Sequence, residues 1–165
     1  MQYAGRVGFG EDRLRYSSAN CSIARTMELV GDRWTMHVLR EAFFGLRRFE
    51  ELLAAVGCGR AMLSQRLHAL VEHGLLERVQ YRQPGQRRRH EYGLTAKGRE
   101  VFPVLVALMD WGDRWTADPE GPAVEIRHDG CGERVHVHLA CDGGHTALTT
   151  ADVHAEQGSG AMLVA

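Results

Sequence analysis

The sequence predicts an α+β fold: a small helical domain carrying a β-hairpin, a long helix after it, and a small β-hairpin (ribbon-like) extension at the C-terminus. Three observations predict it. In GRAMLSQRLHALVEHG, Leu63, Leu67, Leu70 and Val71 recur at i, i+4, i+7 and i+8, so one stripe of that helix faces a core. The runs LLERVQYRQ and RRRHEYGLT flank Pro84-Gly85-Gln86, a turn signal between two strands. Further on, Val101, Val104, Leu105, Leu108, Trp111 and Trp115 form a stripe longer than a domain of this size needs for itself. Opposite the first stripe lie Arg60, Ala61, Ser64, Gln65 and His68, side chains that are small or hydrogen-bonding, and the hairpin tip carries Arg82, Arg87, Arg88 and Arg89. A polar-faced helix beside an arginine-tipped hairpin is the layout of a winged helix-turn-helix. Such a helix enters the major groove of double-stranded DNA while the hairpin reaches the flanking phosphates.

Charge supports that reading only when it is read locally. The chain of 165 residues has a net charge of −1, which by itself argues against nucleic acid. Residues 21–115 carry 15 basic and 11 acidic side chains, a balance of +4, whereas residues 116–165 carry 2 and 8, a balance of −6. A basic surface with an acidic appendage is therefore expected. No apolar run is long enough to span a bilayer, and the N-terminus lacks a charged-then-apolar leader, so a cytoplasmic protein without membrane contact is expected. Four scattered cysteines, Cys21, Cys58, Cys131 and Cys141, are too few for a disulfide scaffold.

Taken in order, residues 1–20 show no sustained periodicity and are expected as a mobile N-terminal arm. Ile23, Met27 and Val30 mark a short helix with Ser22 at its N-cap, ended by Gly31. Asp32 caps a second helix whose stripe is Trp34, Val38, Leu39 and Ala42. A third repeats Phe49, Leu52, Leu53 and Val56, and Gly57-Cys58-Gly59 turns the chain into the polar-faced helix, which Gly74 stops. After the hairpin, Pro103 predicts a kink or a broken first turn in the last helix. Ile23, Met27, Val104, Leu108, Trp111 and Trp115 are the candidate homodimer interface, because a small domain cannot bury that much apolar surface alone.

From residue 116 the composition changes. ADPEGP reads as a linker, and VEIRH and RVHVHLA alternate with period two around DGCGE, a hairpin pattern. His128, Cys131, Cys141 and His145 stand at H-x2-C-x9-C-x3-H, a donor set suited to tetrahedral structural zinc. The expectation is nevertheless a hairpin that stands without metal and a protein with no cofactor, with structural zinc as the alternative. The stretch from Ala151 is expected to fray.

The motifs GDRWT at 31–35, VLREAFFG, RRFEEL, LSQRLHALVEHGLLER, EYGLTAKG and the closing DWG stand in one order. Together the region resembles the HxlR-type transcriptional regulators, a winged-helix branch related to the MarR class. The resemblance covers residues 21–115. It implies a homodimeric DNA-binding regulator without catalytic activity, and a cysteine at the position of Cys21 acts as a sensor in some members. The extension is similar to a ribbon found on some of them, whose second knuckle is C-x-x-C-G; here Gly144 takes the second cysteine's place, and this one-residue shift is why no metal is expected. The family often has Ser or Thr where Gly59 stands and Lys near Ala61; Arg60 is the basic group available here.

Two further considerations bear on function. Cys21 at the start of a helix, beside free N–H groups and with Arg25 one turn on, is a candidate thiolate open to oxidants, quinones or aldehydes. Cys58 is either its disulfide partner across the dimer or a small apolar turn residue. A small-molecule effector is the alternative to such an electrophile. A zinc enzyme built on the C-terminal set is disfavoured because no helix-borne H-E-x-x-H or comparable base accompanies it. A winged-helix interaction module that has lost DNA is disfavoured by Arg87, Arg88 and Arg89, like charges that only a phosphate backbone would draw together. The expected function is a sequence-specific DNA-binding regulator, a repressor acting as a homodimer on a pseudo-palindromic operator.

Overall fold

Apolar spacing of 3.6 residues puts leucine on one side of each early helix, and those sides meet. The computed structural model describes residues 14–81 and 88–164. The element order is α1 (Ser22–Val30), α2 (Arg33–Phe43), α3 (Phe49–Val56), α4 (Arg60–Glu72), β1 (Leu76–Tyr81), β2 (Arg89–Leu94), α5 (Ala96–Arg99) and α6 (Phe102–Trp115). The core is made by Val38 and Leu39 of α2, Leu52 and Val56 of α3, and Leu63, Leu67 and Leu70 of α4, with Leu75 and Leu76 closing it below the hairpin. Val71 and Trp34 pack on its edge, partly buried.

Caps set the helix limits. Asp32 Oδ1 accepts from Trp34 N at 3.0 Å and Thr35 N at 3.2 Å, satisfying first-turn donors of α2. The same oxygen lies 3.0 Å from Arg66 Nε, an ion pair that ties the start of α2 to α4. Gly74, with φ +70°, reverses the chain after α4 into β1, as a residue without Cβ can. The long helix expected after the hairpin is split: α5 is a four-residue turn, and Pro103 stands in the first turn of α6, where its missing N–H leaves no bond unmade. Gly98 of α5 lies so close to the residue before β1 that any Cβ there would overlap the carbonyl oxygen of Leu75. Ser22 begins α1 and does not cap it; Cys21 holds the cap position, its carbonyl accepting from Arg25 N at 3.0 Å.

Strands β1 and β2 are antiparallel, from Leu76 opposite Leu94 to Tyr81 opposite Arg89. A third edge is added at one point, where Arg48 bridges Glu91 and Tyr92 N donates to Arg47 O at 2.8 Å. The tip residues Arg82 and Arg87, with Pro84-Gly85-Gln86, lie outside the described residues.

The chain divides into two units, Thr26–Ile126 and a second made of the segment up to Arg25 with Arg127 onward. At the expected hairpin turn Arg127 bridges Arg134, and a second bridge joins Ala140 to Thr146. Nearly every side chain of 127–164 is exposed. The last residues, expected to fray, are paired: Tyr16 bridges Leu163, Ser17 N donates to Met162 O, and Val164 N donates to Arg15 O, both at 2.8 Å. Asn20 Nδ2 donates to Gly160 O at 3.0 Å in the same region. The arm and tail thus satisfy each other's edge groups. Among the described residues no helix is long and apolar enough to cross a membrane.

Candidate nucleic-acid interface

Burying Leu63, Leu67 and Leu70 fixes which side of α4 faces out. Arg60, Ala61, Ser64, Gln65 and His68 are all exposed, and they share that side. The helix is presented by α3 and a tight turn. Arg48 N donates to Glu51 Oε2 at 3.2 Å at the start of α3. Gly57 in the left-handed region then closes its end, its N–H donating to Leu53 O at 3.2 Å. Gly59 caps α4 with extended backbone and no side chain, which leaves its first N–H groups unobstructed.

Beside α4, Arg88 is exposed and Arg89 opens β2, also exposed. Three neighbours not singled out from sequence complete the surface. Arg48 stacks its guanidinium 5.2 Å from the ring centre of Tyr81, and Arg78 Nη2 lies 3.3 Å from His90 Nδ1. Glu50, in the first turn of α3, is the third: its two oxygens lie 2.7 Å and 2.8 Å from Nη1 and Nη2 of Arg60. The Arg60 hydrogen bond holds the Glu50 carboxyl below the usual carboxylate range against the opposing cost of desolvation, helped by the charges of Arg60 and Arg89. Arg60 is in turn pushed above its ordinary value by the same hydrogen bond. The sequence signal for this pair is faint, opposite charges ten residues apart across a turn.

The candidate dimer residues are exposed in the single chain. On α1 these are Ile23 and Met27; on α6 they are Val104, Leu108, Trp111 and Trp115, the two tryptophans at 61% and 68%. Cys21 is half-buried in a cleft of about 590 Å3 shared with Tyr16, Asn20 and the tail residues Gly158–Ala161. Cys58 is half-buried against the core. In the extension each knuckle brings one thiol to one imidazole: His128 Nδ1 lies 3.3 Å from Cys131 Sγ, and Cys141 Sγ lies 3.2 Å from His145 Nδ1. Among the described residues no three or more His, Cys, Asp or Glu side chains converge on a point that could hold a metal.

A helix-turn-helix whose second helix turns a polar face outward, followed by a two-stranded wing, defines a winged-helix DNA-binding protein. The chain belongs to the HxlR-like helix-turn-helix family, whose pattern matches residues 29–120. An uncharacterized HTH-type transcriptional regulator of Mycobacterium tuberculosis is 47% identical over 139 residues, covering 84% of this chain and 87% of that one. Among solved structures, PA1607, described as a candidate transcription factor, superposes with a TM-score of 0.75 at 34% identity, over 85% of this chain and 96% of its own. The redox regulator HypR in its oxidized form is similar at a TM-score of 0.54 and 25% identity, over 59% of this chain and all (100%) of its own. The protein is a transcriptional regulator with a helix-turn-helix DNA-binding fold.

Proposed function

We propose that the protein is a sequence-specific repressor that binds a pseudo-palindromic operator as a homodimer and is released when Cys21 reacts with an oxidant or electrophile. The single observation that carries the DNA reading is the outward face of α4, where Arg60, Ser64, Gln65 and His68 stand clear of the core beside the exposed Arg88 and Arg89 of the wing. Phosphate contacts from the wing would set register, and side chains of α4 would read base edges. The dimer reading is supported by apolar side chains left in water on α6, which a second copy about a two-fold axis would cover. Two recognition helices so related engage half-sites roughly 34–36 Å apart.

Cys21 supports the sensing part through its place at the N-cap of α1, where the helix's unpaired N–H groups favour a thiolate, and through the likeness to HypR, a redox regulator. Cys58 is better suited to packing, since it lies against the core. The deciding experiment is selection of bound duplexes from a random pool. A recovered inverted repeat is the expected result, and a pool without enrichment overturns the DNA reading. Diamide treatment should then release the wild-type protein from that operator and leave a Cys21→Ser variant bound; equal behaviour removes Cys21 as sensor.

A second reading, regulation by a small molecule, is favoured by one observation. An apolar groove of about 290 Å3 lies between α2 and α6, walled by Met36, Phe43, Phe102, Leu105 and Met109, with His37 and Arg40 at its edge. It is of the size that takes a compact ligand. Filling it with Leu105→Trp would abolish a ligand response and spare a thiol response. For the extension, we propose turns and thiol–imidazole contacts in place of zinc; about one equivalent of zinc per purified chain would overturn that.

A further inference from the structure

Arg60 begins the recognition helix, yet its guanidinium is already engaged. Glu50 grips both terminal nitrogens end-on, at 2.7 Å and 2.8 Å, and the ring of Phe49 lies 5.5 Å below the guanidinium carbon. Fold stability does not account for the pair. Both side chains are about two-thirds exposed, at 64% and 65%, and ion pairs in such positions add little. Phosphate attraction does not account for it either, because a carboxylate on this surface opposes it. Glu50 lies close enough to Arg89 of the wing to feel its charge, so the acid sits among the arginines that would face the nucleic acid. What the pair does accomplish is orientation. An end-on fork leaves Nε–H and one outward N–H on each terminal nitrogen free, while removing the side chain's freedom to swing.

We propose that Glu50 is a positioning residue for sequence reading: it holds Arg60 in one orientation at the start of α4, so that the remaining donors meet a base edge and do not wander to the nearest phosphate. This inference rests on the reading of α4 as the base-contacting helix. Glu50 then trades affinity for discrimination. Its negative charge weakens attachment to any duplex, and the fixed guanidinium favours the one that presents acceptors at the right place. Ser64, Gln65 and His68, one and two turns further along, read independently of it.

The test compares wild type, Glu50→Ala, Glu50→Gln, Arg60→Ala and the Glu50→Ala/Arg60→Ala pair on the selected operator and on a scrambled duplex, with thermal melts of each free protein. Glu50→Ala should bind the scrambled duplex more tightly and lose about tenfold in operator preference, the order of one good base contact. Glu50→Gln, which keeps a hydrogen-bond acceptor for Arg60, should recover part of the preference. In the Arg60→Ala background, removing Glu50 should leave the preference unchanged, and melting temperatures should stay level throughout. Affinity for both duplexes rising by one common factor in Glu50→Ala would overturn the positioning role and leave Glu50 as a charge alone. Additive effects in the double variant would overturn it too. Failure of the underlying reading is separately visible, because wild type itself would then show no preference between the duplexes.

Discussion

The winged unit and the appended unit carry the same kind of sequence signal and bury it to different degrees. In the first, β1 is exposed along most of its length, yet it pairs with β2 over six residues. Its lower end is pinned by Leu76, which is buried, and the other strand is tied at Glu91 and Tyr92 to residues 47 and 48. In the second, RVHVHLA alternates more cleanly, but Val137 and Leu139 remain 37% and 58% exposed, and no side chain of 127–164 is fully buried. Alternation decides which side chains share a face. How much a ladder adds to stability depends on what that face is buried against.

The sharpest way to break this comparison is to truncate one apolar side chain in each unit. Leu67→Ala removes a side chain with no exposed surface from α4 and should cost about 2–5 kcal/mol in urea denaturation. Val137→Ala in the extension should stay within about 0.5 kcal/mol. Comparable costs at the two positions would mean that the extension has a core of its own.

Next in size is the α6 surface. Leu108→Glu with Trp111→Glu would place charge in the proposed two-fold interface, so light scattering should find a monomer where wild type is a dimer. Both positions are exposed in the single chain, so the variant has no reason to unfold as a monomer. A dimer that survives the change removes α6 from the interface.

These contrasts also explain which features a reader of the sequence can foresee. Helix stripes, the Asp32 cap, the glycine stop at Gly74 and the break at Pro103 are legible because each is local: a few neighbouring residues determine it. The outward face of α4 follows from its inward one. The Glu50–Arg60 fork is not legible, because it depends on how two helices are set by a turn, and neither residue is unusual in its own segment. The pairing of arm and tail is hidden for a similar reason. Edges formed by Tyr16 and Leu163 come from opposite ends of the chain, and neither shows a strand pattern alone.

A smaller effect, confined to the winged unit, concerns the wing. Arg88→Ala and Arg89→Ala should weaken binding to every duplex. Each phosphate left without its arginine should also flatten the slope of log affinity against log salt by about 0.9. Operator preference should be preserved, unlike the outcome for Glu50→Ala. An unchanged slope would place the wing off the DNA.

The smallest expected effect is a pH dependence of stability at His37, which lies on packed α2 with its ring edge-on to Trp34 at 5.8 Å. Burial, followed by the charges of Arg40 and Arg33, lowers its pKa from the ordinary 6.5, and Glu41 opposes the shift only in part. The unfolded chain therefore takes up a proton at His37 at a higher pH than the folded chain does. The stabilising contribution is fully present above the ordinary value and is lost as pH falls through the lowered one. Melts recorded from about pH 7.5 down to about pH 5, a range that brackets the ordinary histidine value, should show wild type losing more of its melting temperature than a His37→Gln variant, which keeps a polar side chain there and cannot titrate. Since every other group is common to both proteins, only the difference between the two curves belongs to His37. Parallel curves would mean that the neighbouring arginines are screened by solvent and that the imidazole on α2 behaves as one on an open surface.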